Sequence, residues 1–127
     1  MSKRKGSSAE RDLLHKFWAI PSWVAIRAAG SGSMRYPSPD IIAATATKKL
    51  LIECKVRRAG RIYLSKEEVL ALREFADLFG GIAYVAFKLD RGEWRFVRMP
   101  DLEATGTQYV IHDETPSTSF EELVELD

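Results

Sequence analysis

The sequence predicts an α/β fold, in which a central mixed sheet of five strands is flanked by helices. Short apolar runs separated by turn residues predict the strands, and two longer segments with apolar residues at helical spacing predict the helices. The order of these elements along the chain, α-β-β-β-α-β-β, is typical of a mixed sheet covered by helices. A length of 127 residues and a hydrophobic content of 46% predict one compact domain with a core of its own.

The first helix is predicted over residues 8–19. Ser7-Ser8-Ala9-Glu10 matches a capping box, in which a serine is followed three residues later by a glutamate. Pro21 ends the pattern, and the basic segment before the helix, residues 1–6, is expected to be mobile. The apolar residues that recur along one face of the helix are Leu13, Leu14, Phe17 and Trp18.

Three strands are predicted between this helix and the next, over residues 23–28, 41–44 and 50–56. Glycine and serine, followed by proline, predict a loop over residues 30–39. Because side chains alternate along a strand, Leu51, Glu53 and Lys55 are predicted to share one face. The opposite face then carries Leu50, Ile52, Cys54 and Val56.

The second helix is predicted to start at Ser65-Lys66-Glu67-Glu68, which is another capping box, and to stop at Gly80-Gly81. Two further strands are predicted over residues 82–87 and 94–99. Beyond Pro100 the pattern weakens, so residues 100–127 are an extension of uncertain structure. Within this extension, a strand is predicted over residues 108–112 and a short acidic helix over residues 119–126.

Asp40 and Glu53-Cys54-Lys55 are the residues that point most directly to chemistry. Asp40 precedes one predicted strand, and Glu53 and Lys55 interrupt the apolar pattern of the next. A short polar turn joins these strands, so a hairpin would bring Asp40 alongside Glu53. Carboxylate oxygens suit a hard cation such as Mg²⁺. A lysine beside such a site can orient or deprotonate a water, or offset charge on a phosphate in the transition state.

An ordinary cross-strand ion pair, with a contribution of about 0.2–1 kcal/mol, is the alternative interpretation of these residues. Three observations favour the metal site. Pro39 holds the entry to the strand, the charged pair interrupts an apolar strand, and a third acid, Glu10, lies on the first predicted helix. Glu10 has an alternative role of its own, as the acidic partner in the helix cap.

The two halves of the chain carry opposite charge, although the formal net charge is +1. Residues 1–66 hold 14 Lys and Arg against 4 Asp and Glu, whereas residues 67–127 hold 5 against 14. Such a split predicts a polyanionic partner for the first half, unless the opposite charges meet in the fold and cancel. Because the basic half also carries the acidic cluster, phosphodiester chemistry on a nucleic acid is the favoured function class.

Composition argues against several other function classes. One cysteine and two histidines cannot assemble a zinc site at the usual ligand spacings, and a Cys or Ser nucleophile triad is poorly supported. The single cysteine precludes an internal disulfide and suits a reducing cytoplasm. No apolar stretch comes near the length of about 18 residues that a membrane span needs, so no membrane partner is expected.

From Lys3 to about Met99 the sequence resembles the PD-(D/E)xK nuclease superfamily, and within it the archaeal Holliday-junction resolvases. Proteins of that family have a restriction-endonuclease-like fold and are homodimers with two active sites. They bind four-way DNA junctions by their structure and nick two opposing strands symmetrically, in recombination and repair. The motifs that carry the resemblance, in order, are Arg4-Lys5-Gly6, Ala9-Glu10-Arg11, Arg27, Gly30-Ser31-Gly32-Ser33, Pro39-Asp40, Glu53-Cys54-Lys55 and Phe79-Gly80-Gly81.

The resemblance implies a role for each matching residue. Glu10, Asp40 and Glu53 match the metal-binding acids, with the backbone carbonyl of Cys54 as a further ligand, and the metal is Mg²⁺ or Mn²⁺. Lys55 matches the catalytic lysine. A serine needed for cleavage corresponds to Ser31, and family arginines that support cleavage correspond to Arg11 and Arg27. Contacts with DNA are further expected from the remaining basic residues around the motifs: Arg4, Lys5, Arg35, Arg57, Arg58 and Arg61.

Two other functions remain open. A different nuclease of the same superfamily, acting on branched or linear duplex, would keep the same catalytic residues. A non-catalytic DNA-binding module would instead use the acids as ion-pair partners for the arginines. The sequence leaves open the preferred cleavage positions, the number of metal ions, the protein partners, the role of residues 100–127 and any DNA contact of the loop that carries Arg35.

Overall fold

The computed structural model describes residues 3–28 and 36–125, and for Lys3, Arg4 and Lys5 it describes the backbone alone. Within these ranges the chain forms helices and strands in a mixed order, with one short 3-10 turn at Met99–Asp101. The helices are α1 (Lys3–Trp18), α2 (Lys66–Phe79) and α3 (Phe120–Glu125). The strands are β1 (Val24–Arg27), β2 (Ile41–Ala44), β3 (Lys49–Arg57), β4 (Ile62–Ser65), β5 (Ile82–Leu89), β6 (Arg95–Arg98), β7 (Glu103–Ala104), β8 (Gln108–Ile111) and β9 (Thr118–Ser119).

A mixed sheet in the order β1-β2-β3-β5-β6-β9 forms the centre of the described structure. Its β3 and β5 pair in parallel, and each of its other neighbouring pairs is antiparallel. The predicted α/β class with a mixed sheet flanked by helices is therefore confirmed. The predicted number of five strands is wrong for the described residues, because β9 adds a sixth. This strand has two residues, Thr118 and Ser119, and is too short to show any periodicity.

A second sheet, in the order β4-β8-β7, was not expected from the sequence. Its β4 lies within the segment that follows Arg61, where Ile62, Tyr63 and Leu64 alternate buried, exposed and buried. That short alternation is a strand signal which the surrounding basic residues obscured. The strand predicted over residues 108–112 is present as β8, but it pairs with β4 and β7 rather than with the central sheet.

The alternation of side chains along β3 divides the core into two clusters, as predicted. Leu50, Ile52, Cys54 and Val56 pack with Leu13 and Phe17 of α1 and Phe120 of α3. Leu51 points to the other face, where it packs with Val69, Leu72 and Ala76 of α2 and with residues of the second sheet. Glu53 and Lys55 follow Leu51 on that second face, so the charged pair lies on the α2 side of the sheet.

The first helix begins at Lys3, so the predicted start at residue 8 and the predicted capping box are wrong. Lys3–Gly6, which were expected to be part of a mobile tip, continue the helix. The Ser7 hydroxyl does not cap the helix but accepts a hydrogen bond of 3.0 Å from Arg27 Nη2 of β1. The helix continues through Ser7 and Ser8 and satisfies their backbone groups, so no cap is needed there. The Ser7 hydroxyl is therefore available to Arg27, which the tertiary fold brings close.

The second helix begins and ends as predicted. Ser65 is its N-cap, and the Ser65 hydroxyl accepts a hydrogen bond of 3.0 Å from the Glu68 N–H. Gly80 ends the helix with a φ of 83° in the left-handed region, and its N–H donates to the Ala76 carbonyl. The short acidic helix predicted near the end of the chain is also present, as α3. No helix in the described ranges is both long enough and apolar enough to cross a membrane.

Gly81 allows the end of α2 to pack closely on β3. A Cβ atom at this position would lie 2.8 Å from the carbonyl oxygen of Lys49 and would also collide with the side chain of Leu51. Real Cβ atoms do not approach backbone so closely, so any side chain at residue 81 would force β3 and α2 apart. Since β3 carries Glu53 and Lys55, this contact holds the scaffold of the candidate site.

We expect the Gly81→Ala variant to be less stable by about 1–3 kcal/mol, because the added methyl group overpacks the contact with Leu51 and Lys49. Urea unfolding followed by circular dichroism measures the change. Gly106→Ala is the control, since a Cβ at Gly106 meets nothing within 4 Å. Equal stability of the two variants would contradict the packing role of Gly81.

Candidate active site

Asp40 is held in place at the entry to β2 by its backbone and by its side chain. Its N–H donates to the Ile52 carbonyl at 2.9 Å, and its own carbonyl accepts from the Ala28 N–H at 2.9 Å. The buried Oδ2 atom accepts a hydrogen bond of 2.8 Å from the Cys54 N–H. The pairing of Ile41 with Ile52 places Asp40 across from Glu53. The juxtaposition predicted from the hairpin is therefore present.

Glu53 lies next to Asp40 and carries a strongly perturbed carboxyl group. Burial, and after it the negative charge of Asp40, raise its pKa to about 8, although the nearby ammonium of Lys55 opposes the shift. Two carboxyl groups confined together favour a bound proton on one of them, unless a cation replaces that proton. A buried carboxyl group beside a second acid is thus less readily ionised than an exposed one when no cation is bound.

Glu10 approaches the same region from α1 and is paired with Arg27. The Arg27 Nε donates to Glu10 Oε1 at 3.0 Å, and both side chains are about four-fifths buried. Burial and the charge of Asp40 raise the Glu10 pKa, while the hydrogen bond and charge of Arg27 lower it. Arg27 therefore has the buried partner that an arginine on an apolar strand needs. Metal binding by Glu10 stays a prediction.

Lys55 pairs with an acid that the sequence did not indicate. Its Nζ atom lies 2.7 Å from Oε2 of Glu68, in the first turn of α2. The sequence predicts Glu68 as the acidic half of a capping box, but its carboxylate contacts Lys55. The serine half of that box is present, because the Glu68 N–H is bonded to Ser65. The Ser65–Glu68 motif therefore places Glu68 correctly in the first turn of α2, but it does not predict the contact of the Glu68 side chain with Lys55.

Cys54 contributes its backbone to the site and its side chain to the core. The thiol is buried among the residues that pack against α1. Burial, followed by the charge of Asp40, raises the pKa of this thiol well above its usual value. A buried thiol with a raised pKa is a poor nucleophile. This agrees with the sequence, which gives poor support to a cysteine nucleophile triad. The role of the Cys54 carbonyl as a metal ligand stays a prediction.

The remaining predicted residues are basic groups around the site. Arg11 is exposed on α1, and its charge lowers the Glu10 pKa. The side chains of Arg57, Arg58 and Arg61 are exposed at the end of β3 and before β4, with Arg58 Nε 4.0 Å from Asp90 Oδ2. Contact of any of them with DNA stays a prediction. Four predicted residues lie outside the described part of the chain, namely Ser31 and Arg35 as a whole and Arg4 and Lys5 in their side chains.

The donor atoms present suit a Mg²⁺ ion. Over residues 3–28 and 36–125, no three His, Cys, Asp or Glu side chains form a ready-made metal cluster. Mg²⁺ does not require one, because it is commonly held by one or two carboxylates together with waters and substrate phosphates. Asp40 and Glu53 supply two facing carboxyl groups, and the raised pKa of Glu53 marks a place where a cation would be favoured.

Comparison with known proteins identifies the family to which this fold and site belong. The whole chain, residues 1–127, matches the family described as archaeal Holliday junction resolvase (Hjc). The chain belongs to this family. A relative from Archaeoglobus fulgidus, named crossover junction endodeoxyribonuclease Hjc, is 45% identical over 111 residues, which cover 87% of this chain and 81% of that protein. The Hjc of the same name from Methanocaldococcus jannaschii is 33% identical over 118 residues, covering 93% and 84% of the two chains.

A solved structure of a family member has the same fold. The Archaeoglobus fulgidus Hjc, described as a Holliday junction resolvase from an archaeal hyperthermophile, superimposes with a TM-score of 0.86 and 40% sequence identity. The match covers 93% of this chain and 98% of that one. The family resemblance inferred from the short motifs is confirmed.

The raised pKa of Glu53 predicts how stability depends on pH without divalent metal. Between about pH 4.5 and 8 the folded protein holds a proton on Glu53 that the unfolded chain releases, so stability falls as pH rises through this window. Glu53→Gln cannot lose that proton, so we expect the variant to gain stability relative to wild type from pH 5 to pH 8. Thermal unfolding in EDTA measures this, with exposed Glu114→Gln as control. Parallel pH curves for wild type and Glu53→Gln would contradict the assignment.

Proposed function

We propose that this protein is a structure-selective endonuclease that resolves four-way (Holliday) DNA junctions by metal-dependent phosphodiester hydrolysis. Membership of the family supports the substrate, and the site supports the chemistry. The observation that carries the proposal is the position of Asp40, whose buried carboxylate is bonded to the Cys54 N–H directly across from Glu53. An exposed cross-strand ion pair would not require this burial of acid beside acid.

Asp40 and Glu53 would hold the metal, Mg²⁺ or in its place Mn²⁺, with the Cys54 carbonyl and Glu10 as further candidate ligands. The bound ion would supply Lewis-acid stabilisation of charge on the phosphate and activation of a water. The hydrogen bond from the Cys54 N–H holds the Asp40 carboxylate in place across from Glu53. Arg27 orients Glu10 through the bond to Oε1, so the carboxylate stays directed towards the same region.

Lys55 would act on the reacting groups themselves. Its ammonium lies on the same face as Glu53, two residues along β3, and remains partly exposed at 27%. From that position it can orient the attacking water or offset charge on the phosphate. Hydrolysis would leave a 5′-phosphate and a 3′-hydroxyl at each nick.

The surrounding charge favours approach of a DNA backbone. The first 66 residues carry 14 Lys and Arg, and three of those that follow Lys55 along the chain, namely Arg57, Arg58 and Arg61, have exposed side chains. Cations at such positions bind phosphates without reading base sequence. Selectivity for a junction would then arise from the shape of the DNA, because two arms must meet two correctly spaced basic surfaces.

Paired symmetric nicks require two active sites, and we therefore propose a homodimer. Large apolar side chains remain exposed on α2 and at the start of β5: Leu70, Leu78, Phe79 and Ile82. Phe75 is half-buried and stacks on Phe79 with ring centroids 5.7 Å apart. Trp94 and Phe96 are fully buried core residues and take no part in this surface. Exposed apolar groups of this kind mark association surfaces, and a two-fold axis would present both basic faces to a two-fold junction.

Asp40→Asn is expected to reduce cleavage of a fixed four-way junction by at least about 100-fold, because an amide replaces a buried metal-binding carboxylate. Single-turnover cleavage in Mg²⁺ measures the rate, and calorimetric titration of Mg²⁺ should show the loss of binding. Asp113→Asn, on an exposed acid after β8, is the matched control and should cut normally.

Intact cleavage by Asp40→Asn would refute the assignment of the site. Equal cleavage of a junction, a flap and a linear duplex by the wild type would instead indicate a nuclease of another specificity. Absence of Mg²⁺ binding, with tight junction binding and no cleavage, would indicate a non-catalytic DNA-binding module.

Leu78→Glu is expected to convert the protein to monomers, because it places a charge in the proposed dimer surface at a side chain that is 90% exposed in the single chain. Sedimentation velocity measures the association state, and nicking of one strand without its partner reports the functional loss. Val24→Glu, at another exposed apolar residue, is the control and should remain dimeric. A monomeric wild type at working concentration would contradict the dimer.

A further inference from the structure

The ion pair between Lys55 and Glu68 is a contact of the site that has no part in the proposed metal binding. Lys55 Nζ and Glu68 Oε2 are 2.7 Å apart, and their side chains are 27% and 38% exposed. The Oε2 atom itself is shielded from solvent and accepts no hydrogen bond of good geometry, so the nearby ammonium of Lys55 compensates it by its charge. The pair joins β3 to the first turn of α2 beside Glu53.

Glu68 is the rigid member of this pair. Its backbone N–H is fixed by the Ser65 hydroxyl at 3.0 Å, and the next residue, Val69, is 2% exposed in the core beneath α2. The carboxylate therefore projects from a capped and anchored helix turn. Lys55 by contrast carries its ammonium on a flexible stem of four carbons, and can reach several neighbouring acids.

One of these acids is Glu53, which lies on the same face of β3 two residues away and feels the ammonium as a nearby charge. If Lys55 collapsed onto Glu53, it would neutralise a carboxylate that the proposed function assigns to the metal. An anchored acid on the other side of Lys55 opposes that collapse. It also holds the ammonium in one position, so that Lys55 does not have to sample other side-chain conformations before the phosphate reacts.

We propose that Glu68 is a positioning residue that acts through Lys55, holding the ammonium away from Glu53 and in line with the reacting phosphate. This inference rests on the proposed function, since it concerns the use of Lys55 in strand cleavage. Glu68 need not touch DNA or metal for this purpose. A pair that is more than one-third exposed on one side contributes little to folding, so the catalytic effect and a stability effect can be separated.

The test compares Glu68→Gln with Glu67→Gln, which makes the same change at the neighbouring exposed acid of the same helix turn. In single-turnover cleavage of a four-way junction with Mg²⁺, we expect Glu68→Gln to lower the cleavage rate by about 10–100-fold. The Kd for the junction and the thermal unfolding midpoint should stay at the wild-type values. Glu67→Gln should cut at the wild-type rate, and Glu68→Asp, which keeps the charge, should recover part of the loss.

A second comparison asks whether Glu68 works through Lys55. In a Lys55→Ala background the rate should be unaffected by adding Glu68→Gln, because the group that Glu68 positions is gone. A double variant whose loss of cleavage rate equals the product of the two single losses would overturn the inference. A wild-type cleavage rate for Glu68→Gln would overturn it as well. A change in junction Kd or melting temperature that accounts for the whole loss would also overturn it.

The two proposals fail in different ways. A wild-type protein that does not cut the junction at all refutes the proposed function, and this inference falls with it. A wild type that cuts normally, together with a Glu68→Gln variant that cuts equally well, refutes the positioning role alone.

Discussion

The buried hydrogen bond from the Cys54 N–H to Asp40 Oδ2 is the contact on which the arrangement of the site depends. It joins the entry of β2 to the middle of β3, where the sheet also holds the Asp40 backbone between Ala28 and Ile52. A carboxylate fixed in this way has little freedom to turn away from its neighbours. Glu53 on β3 and Glu10 on α1 are therefore arranged about a fixed acid, and the two core clusters on either side of the sheet keep it fixed.

Holding several acids together has an electrostatic cost, and the structure offsets it unevenly. Arg27 donates a hydrogen bond to Glu10, and Lys55 forms an ion pair with Glu68. Glu53 keeps a pKa raised to about 8. This shift follows first from the burial of Glu53 and then from the charge of Asp40 beside it. A carboxyl group perturbed by burial and by a neighbouring acid is a candidate for a functional role.

Much of the fold could be predicted because the signals are local. Alternation along β3, the serine cap at Ser65 and the left-handed Gly80 each depend on a few neighbouring residues. Two of the errors arose where distant partners decided the outcome. Arg27 took the hydroxyl of Ser7 that was expected to cap α1, and Phe96 and Arg95 of β6 recruited the two-residue strand β9. The strand β4 was obscured by the basic residues before it, although Ile62 and Leu64 alternate correctly.

By itself the sequence determined which residues meet at the centre of the site. Asp40, Glu53 and Lys55 lie on one hairpin, where strand alternation and register place them from local geometry alone. The tertiary structure alone decided how their charges are balanced. Arg27 reaches Glu10 across 17 residues of sequence, and Glu68 reaches Lys55 from a helix on the face of the sheet. These pairings depend on how helices and strands pack, because long side chains can choose among several partners until packing brings one of them close.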